Sequence, residues 1–426
     1  MGADRHLPRV ASREKGRALA SGLAAAVVSV LLTLLVIEAA LRVAYPFTQP
    51  SWPGIHRPFG FSFRPGATVR WTNVRDFCVE QKANSLGFLD REPPVLSDPE
   101  EFRILVLGDS FVEAAQVQPA EKTHLLLEAG LRTRYPDRQF RVNALGFSGS
   151  GTGDQLAFYD RFRDRFQPHL VIILFVKNDF ANNSLLLESV RNGWDPAHVP
   201  RPFFTRVDGV LRRGEVDIAW GEHLLVTPPA RSPAGEPGVL SRLSAYSTTA
   251  AWIGARLSAP AQVQDQLYAE RLSALRGNPA YRLALAGWEY PRDEDMDAMF
   301  FAEAMPPLFE EAVAITGHIL DEFRARAARD HFRLLLVAAD NCSQPPQPKR
   351  RKLLADGQLR RLRQLAHQRG LAVLDLGEYF TTHGDQGATT FSRDGHWNRT
   401  GHRLASTAIE EYLAAHAEEF LERIPL

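Results

Sequence analysis

Five short apolar runs set the terms on which this chain can fold. FRILVL (102–107), FRVNAL (140–145), HLVIILFV (169–176), FRLLLVAAD (332–340) and LAVLDL (371–376) each have the length of a strand. Helix-periodic segments at 120–134, 153–166, 306–329, 350–369 and 400–417 alternate with them. Alternating strands and helices build parallel sheets through right-handed crossovers. The expected fold class is α/β, a flavodoxin-like three-layer sandwich around a five-stranded parallel sheet. The run at 169–176 is apolar throughout, as a strand buried on both faces requires.

The rhythm breaks at 184–304, where Pro, Gly and Arg cluster around a few helical pieces near 241–257 and 264–275. This stretch reads as an insertion, a lid or substrate-binding subdomain of uncalled fold. The α/β body then comprises 101–183 and 305–420. Residues 44–100 read as a stalk and lead-in, rich in Pro, Gly and aromatics at the start (YPFTQPSWPGIHRPFGFSFRPG).

Residues 18–37 carry no charge over twenty positions, about one bilayer crossing. Arg5, Arg9, Arg13, Lys15 and Arg17 precede them, so residues 1–17 read as a cytoplasmic tail and 18–43 as a transmembrane signal anchor. Glu38 and the length of the run argue against the cleaved signal peptide that Ala39 and Ala40 would otherwise allow. The expected location is the cell inner membrane, single-pass, with the rest of the chain facing the periplasm or outside.

Fifty basic residues balance fifty acidic ones, which gives no electrostatic case for nucleic acid. Cys78 and Cys342 form no CxxC or Cys/His cluster, so neither a structural zinc nor any other metal site is expected. Outside the cytoplasm the two cysteines either pair or stay free, and spacing alone does not choose.

Each apolar run ends on polar residues. The first stops at Gly108-Asp109-Ser110, the second leads into Ser148-Gly149, the third ends in Asn178-Asp179, and Asp394 and His396 follow the fifth. Carboxyl ends of parallel strands share one sheet edge, so these groups can converge. They supply a nucleophile, a base, an orienting acid and oxyanion donors. The four blocks GDSF, GFSGSGTGDQ, KND and DGHWNRTGH, in that order, resemble those of the SGNH hydrolases, the GDSL esterase/lipase superfamily. ANSLGFLDRE (83–92) resembles the lead-in of a membrane-anchored bacterial subgroup of that superfamily.

The resemblance implies a triad of Ser110, His396 and Asp394, with Gly149 and Asn178 as oxyanion donors and no cofactor. Only Gly395 separates the acid from the histidine, a spacing familiar from members that modify bacterial polysaccharides. The substrate implied is an acylated glycan, a lipid-linked sugar or a small ester. Three readings stand: a serine esterase, an O-acyltransferase supplied by a membrane acyl-donor protein, and an inactive glycan-binding protein.

Individual residues carry alternatives of their own. Asp109 and Asp179 read as structural groups near the site, the first fixing a turn, the second a cap. His402 is a rival base. Lys177 faces either an anionic substrate or solvent, and Phe111 and Trp397 line the site or pack the core. Asn182 and Asn398 begin N-x-S/T sequons.

Overall fold

The computed structural model describes residues 8–95, 100–207, 210–226, 242–244, 246–257, 263–286, 288, 296–342, 353–384 and 389–422. The start of the expected cytoplasmic tail, positions 350–352 of an expected helix and parts of the 184–304 stretch lie outside the described residues. The described residues divide into two units, one built on the N-terminal helix and one on the sheet.

The N-terminal unit contains α1 (Pro8–Ala44), the turn 72–78 and the described residues of 242–257. Within α1, Leu19–Ala44 is long and apolar enough to cross a membrane, with a mean hydropathy of 2.5 and no buried face. Its Leu and Val side chains are exposed along the length, Leu35 at 64% among them.

In the second unit the five expected strands all form: β1 (Phe102–Gly108), β2 (Phe140–Gly146), β3 (Leu170–Phe175), β4 (Arg333–Ala338) and β5 (Ala372–Asp375). They pair in parallel in the order β2-β1-β3-β4-β5. This is the flavodoxin-like order, whose chain direction reverses between β1 and β3 and opens a crevice at their carboxyl ends.

Alternate residues of each strand enter two separate cores. Leu105, Leu107, Val171, Ile173, Leu336 and Ala338 meet α2 (Thr152–Phe166), α3 (Pro307–Asp330) and α4 (Gly357–His367) on one face. Ile104, Val106, Val142, Ile172 and Val337 meet a helix at Thr123–Arg134 and α5 (Arg399–Ala415) on the other. Both faces of the sheet are therefore dry, which explains why β3 is apolar at every position.

Two expectations are corrected. Residues 51–92 are not an extended stalk. They form antiparallel hairpins, Gly54–Arg57 with Gly60–Phe63 and Thr68–Thr72 with Cys78–Lys82. The aromatic residues that suggested a linker are core: Phe63 and Phe88 are fully buried against Phe147, Phe158 and Phe162. Asp90 then fastens the lead-in to β2, accepting from the Asn143 side chain at 3.1 Å and the Ala144 N–H at 2.9 Å.

Among the described residues, the 184–304 stretch likewise forms no separate subdomain. Leu187, Val190, Phe204, Leu272, Leu285, Trp288 and Phe300 join the same core as β1 and β3, while 242–257 belongs with α1. Cys78 and Cys342 are both free thiols, and Cys342 is buried.

Candidate active site

The crevice at the β1/β3 reversal is where the polar strand ends meet. Ser110 opens a four-residue helical turn immediately after β1. The buried Asp109 carboxylate caps that turn by accepting the Phe111 N–H at 2.9 Å. The turn sits so close to the sheet that a Cβ at Gly146 would lie 2.4 Å from the Glu113 nitrogen. Glycine at the end of β2 is thus what lets Ser110 approach the strand tips.

His396 comes from the loop before α5. Its Nε2 lies 2.8 Å from the Ser110 Oγ, and its Nδ1 lies 2.6 Å from the Asp394 Oδ1. The two distances select one tautomer: Nδ1–H donates to Asp394 and Nε2 accepts from the serine hydroxyl. Burial disfavours the charged imidazole, but the Asp394 bond and charge, with Asp109 and Glu113 behind it, raise its pKa above the ordinary histidine value. The His396 side chain keeps 26% of its surface open, so a substrate can reach it.

The one-residue spacing works because Gly395 adopts φ +80°, bringing the acid and the imidazole together across a tight turn. That turn is closed by backbone bonds from the Gly395 N–H to the Phe391 carbonyl and from the Phe391 N–H to the His396 carbonyl, both 2.9 Å. Trp397 and Phe111 pack the core. Trp397 is buried, donates to Asp340 Oδ1 at 2.8 Å and meets Phe111 edge-on. Phe111 in turn lies 5.1 Å from the His396 ring.

His402 is not placed as a base. It is buried on Thr123, with Nδ1 2.8 Å from the hydroxyl, and burial lowers its pKa to about 3. Asp179 is buried and bonds other groups than the serine. Its oxygens accept from the Val176 N–H at 2.6 Å and the Gln155 amide at 3.2 Å, closing the turn after β3. Asn398 caps α5 by accepting the Thr400 and Gly401 N–H groups, which gives its sequon an ordinary structural explanation.

Gly149 has φ +75°, and among the described residues neither its N–H nor that of Ser110 has an acceptor. The loop carrying Gly149 is pinned from four sides. Ser148 gives its N–H and hydroxyl to Glu113, at 2.7 and 3.1 Å. Ser150 gives its hydroxyl to the Gly108 carbonyl at 3.1 Å. The Gly149 carbonyl accepts from the Asn182 amide at 2.6 Å and from Arg201. Arg201 is itself buried, paired with Glu188 at 2.8 Å and Asp154 at 3.3 Å, under Trp194 and Phe203.

Glu113, Asn182 and Arg201 were not visible as site residues in the sequence. Glu113 is the one charge in FVEAAQV, and burial pushes its carboxyl up to about 8. Asn178, by contrast, is where the third block put it. Its amide donates to Asp109 Oδ2 at 3.1 Å and Asn182 Oδ1 at 2.8 Å. Both amide hydrogens are spent, so one acceptor must be exchanged when an oxyanion forms.

Asn182 thus touches both the Gly149 carbonyl and the Asn178 amide. Asn182→Ala should lower kcat about tenfold, equivalent to ~1.4 kcal/mol, with little change in KM. An equal rise in KM at constant kcat would show that Asn182 acts on substrate binding instead.

No family model matches the chain, and no curated protein matches it significantly. Solved structures do align. An α/β hydrolase enzyme, LAE5, from the metagenome of Lake Arreo, Spain, is 14% identical with a TM-score of 0.36, covering 76% of this chain and 97% of its own. A two-domain esterase active on acetylated mannans is 10% identical with a TM-score of 0.36, covering 76% of this chain and 52% of its own. The lipase/acylhydrolase from Enterococcus faecalis is 12% identical with a TM-score of 0.32, covering 74% of this chain and 97% of its own. The chain itself has a doubly wound α/β sheet of order β2-β1-β3-β4-β5, with Ser110, His396 and Asp394 hydrogen-bonded in series at the carboxyl ends of its strands.

Proposed function

We propose that this protein is a membrane-anchored serine esterase that removes small acyl groups, acetyl foremost, from a glycan or lipid-linked sugar. The carrying observation is the continuous Ser110–His396–Asp394 hydrogen-bond chain, 2.8 and 2.6 Å long, at a solvent-open strand edge. His396 Nε2 takes the Ser110 proton as Oγ attacks the ester carbonyl, and Asp394 holds the tautomer and the imidazolium. The Ser110 and Gly149 N–H groups, and the Asn178 amide after exchange, receive the oxyanion. His396 then returns its proton to the leaving alcohol. Water, activated by the same imidazole, releases the acyl group and regenerates Ser110. In this reading the helix at Leu19–Ala44 is an inner-membrane anchor with the rest of the chain on the periplasmic or outer side, supported by its apolar length and by the basic residues before it.

A fluorophosphonate, which phosphorylates activated serines, tests the site directly. It should add one equivalent to the full chain, and peptide mass spectrometry should place it on Ser110. Protein that stays unlabelled, or labels on another serine, would overturn the assignment. The one-residue Asp394–His396 spacing keeps acyl transfer as the second reading. An oligosaccharide that accelerates p-nitrophenol release from p-nitrophenyl acetate and itself gains the acetyl group would select it.

A further inference from the structure

The N-terminal unit contains a feature that an anchor alone does not need. Glu38 lies one residue beyond the uncharged run 18–37, and its carboxylate is turned onto the segment 242–257. It accepts the Thr248 N–H at 3.0 Å, the Thr249 N–H at 2.9 Å and the Ser247 hydroxyl at 2.9 Å. The two N–H groups are orphan donors at the start of the helix Thr248–Leu257. Arg42 adds a second tie, bonding Glu38 at 2.7 Å and the Tyr246 carbonyl at 3.1 Å.

Depth follows from the helix rise. Glu38 lies twenty-one positions after Arg17, about 32 Å along α1, so with the arginine at one lipid–water boundary the glutamate reaches the other. The segment fastened to Glu38 has the composition of such a boundary. Residues 242–257 include Arg242 and Arg256 and no acidic residue. Leu243, Tyr246 and Leu257 are 48%, 81% and 71% exposed. The Arg256 guanidinium lies 3.6 Å from the Trp252 ring centre, an amphipathic pair suited to headgroup level.

We infer that residues 242–257 are a membrane-surface element, seated on the anchor helix with Leu243, Tyr246 and Leu257 in the headgroup–acyl boundary of the bilayer and the two arginines toward anionic headgroups. The occupant of this apolar surface is lipid. Its hydrogen-bonded seat on α1, whose apolar length is bare, and the absence of acidic residues from 242–257 argue for that occupant. The inference rests on α1 being a membrane span, and the test separates the two.

Full-length protein carrying Cys78→Ser and one added cysteine, Leu31→Cys, Tyr246→Cys or Leu257→Cys, is labelled with an NBD fluorophore. It is placed in phosphatidylcholine–phosphatidylglycerol nanodiscs. Nitroxide-labelled lipid and aqueous iodide serve as quenchers. The expected result is quenching of Leu31→Cys by deep nitroxide. Tyr246→Cys and Leu257→Cys should be quenched at least twofold by shallow nitroxide and shielded from iodide. Free access of iodide to 246 and 257, with Leu31→Cys still quenched by lipid, would overturn the inference and leave the anchor standing. Shielding of 246 and 257 from both quenchers would overturn it in favour of a protein cover. Iodide access to Leu31→Cys would remove both.

Discussion

Ser110→Ala is expected to lower kcat/KM for p-nitrophenyl acetate by about 10⁴-fold or more, in full-length protein held in detergent or nanodiscs. The size follows from the role. Without Oγ no acyl-enzyme forms, and only the oxyanion donors and substrate binding remain to speed direct attack by water. Folding should be almost untouched, because Ser110 contributes one hydroxyl at the open edge of the sheet and the Asp109 cap on Phe111 stays. A loss of about 1 kcal/mol or less, a shift in Tm of about 2 °C, is the ceiling for one such hydrogen bond. His396→Ala should be as damaging, and the double variant no worse than either, since the two side chains act as one unit. A Ser110→Ala protein that keeps half its activity would place the nucleophile elsewhere. A large fall in Tm would instead make the lost activity a folding effect.

The parts of this site that were legible in the sequence are those that local pattern encodes. A strand that must be dry on both faces shows as LVIILF, and the strand tip of the candidate site shows as an apolar run cut short by Gly-Asp-Ser. The parts that stayed hidden depend on distance in the chain. Arg201 holds a carbonyl 52 positions before it, and nothing near either residue announces the pairing. Asn182 was masked by a sequon, although its side chain bonds both the Asn178 amide and the Gly149 carbonyl from inside the fold. The misreading of 51–92 has a compositional cause. Pro and Gly mark turns equally well in a linker and in tight hairpins, and only the burial of Phe63 and Phe88 tells the two apart. The 184–304 stretch broke the strand–helix rhythm, which suggested a module of its own. In fact Leu187, Val190, Phe204, Leu272, Leu285, Trp288 and Phe300 of this stretch fill the core beside β1 and β3, and its Arg201 reaches the Gly149 loop.

Asp394→Asn is expected to cost about 10⁴-fold in kcat and to move the pH profile as well. The carboxylate accepts from His396 Nδ1–H at 2.6 Å, and that bond keeps Nε2 free to take the serine proton. An asparagine can turn its NH₂ toward Nδ1, which would then hold the lone pair and leave Nε2 protonated, the wrong tautomer for a base. The direction of the pH effect is set by opposing influences on the imidazole. Burial lowers its pKa, whereas Asp394, Asp109 and Glu113 raise it, and the net result lies above the ordinary value. In the unaltered enzyme kcat/KM should therefore rise with pH through an inflection above about 6.5, as the free-enzyme imidazole loses its proton. Asp394→Asn removes the largest raising influence while burial stays, so the residual activity should show its inflection at lower pH. Following kcat/KM from pH 5 to 9 for both proteins checks the two claims together. A variant with reduced rate but an unmoved inflection would mean that another group titrates. Retention of rate would mean that the 2.6 Å contact is structural and that His396 is oriented by the tight turn around Gly395 alone.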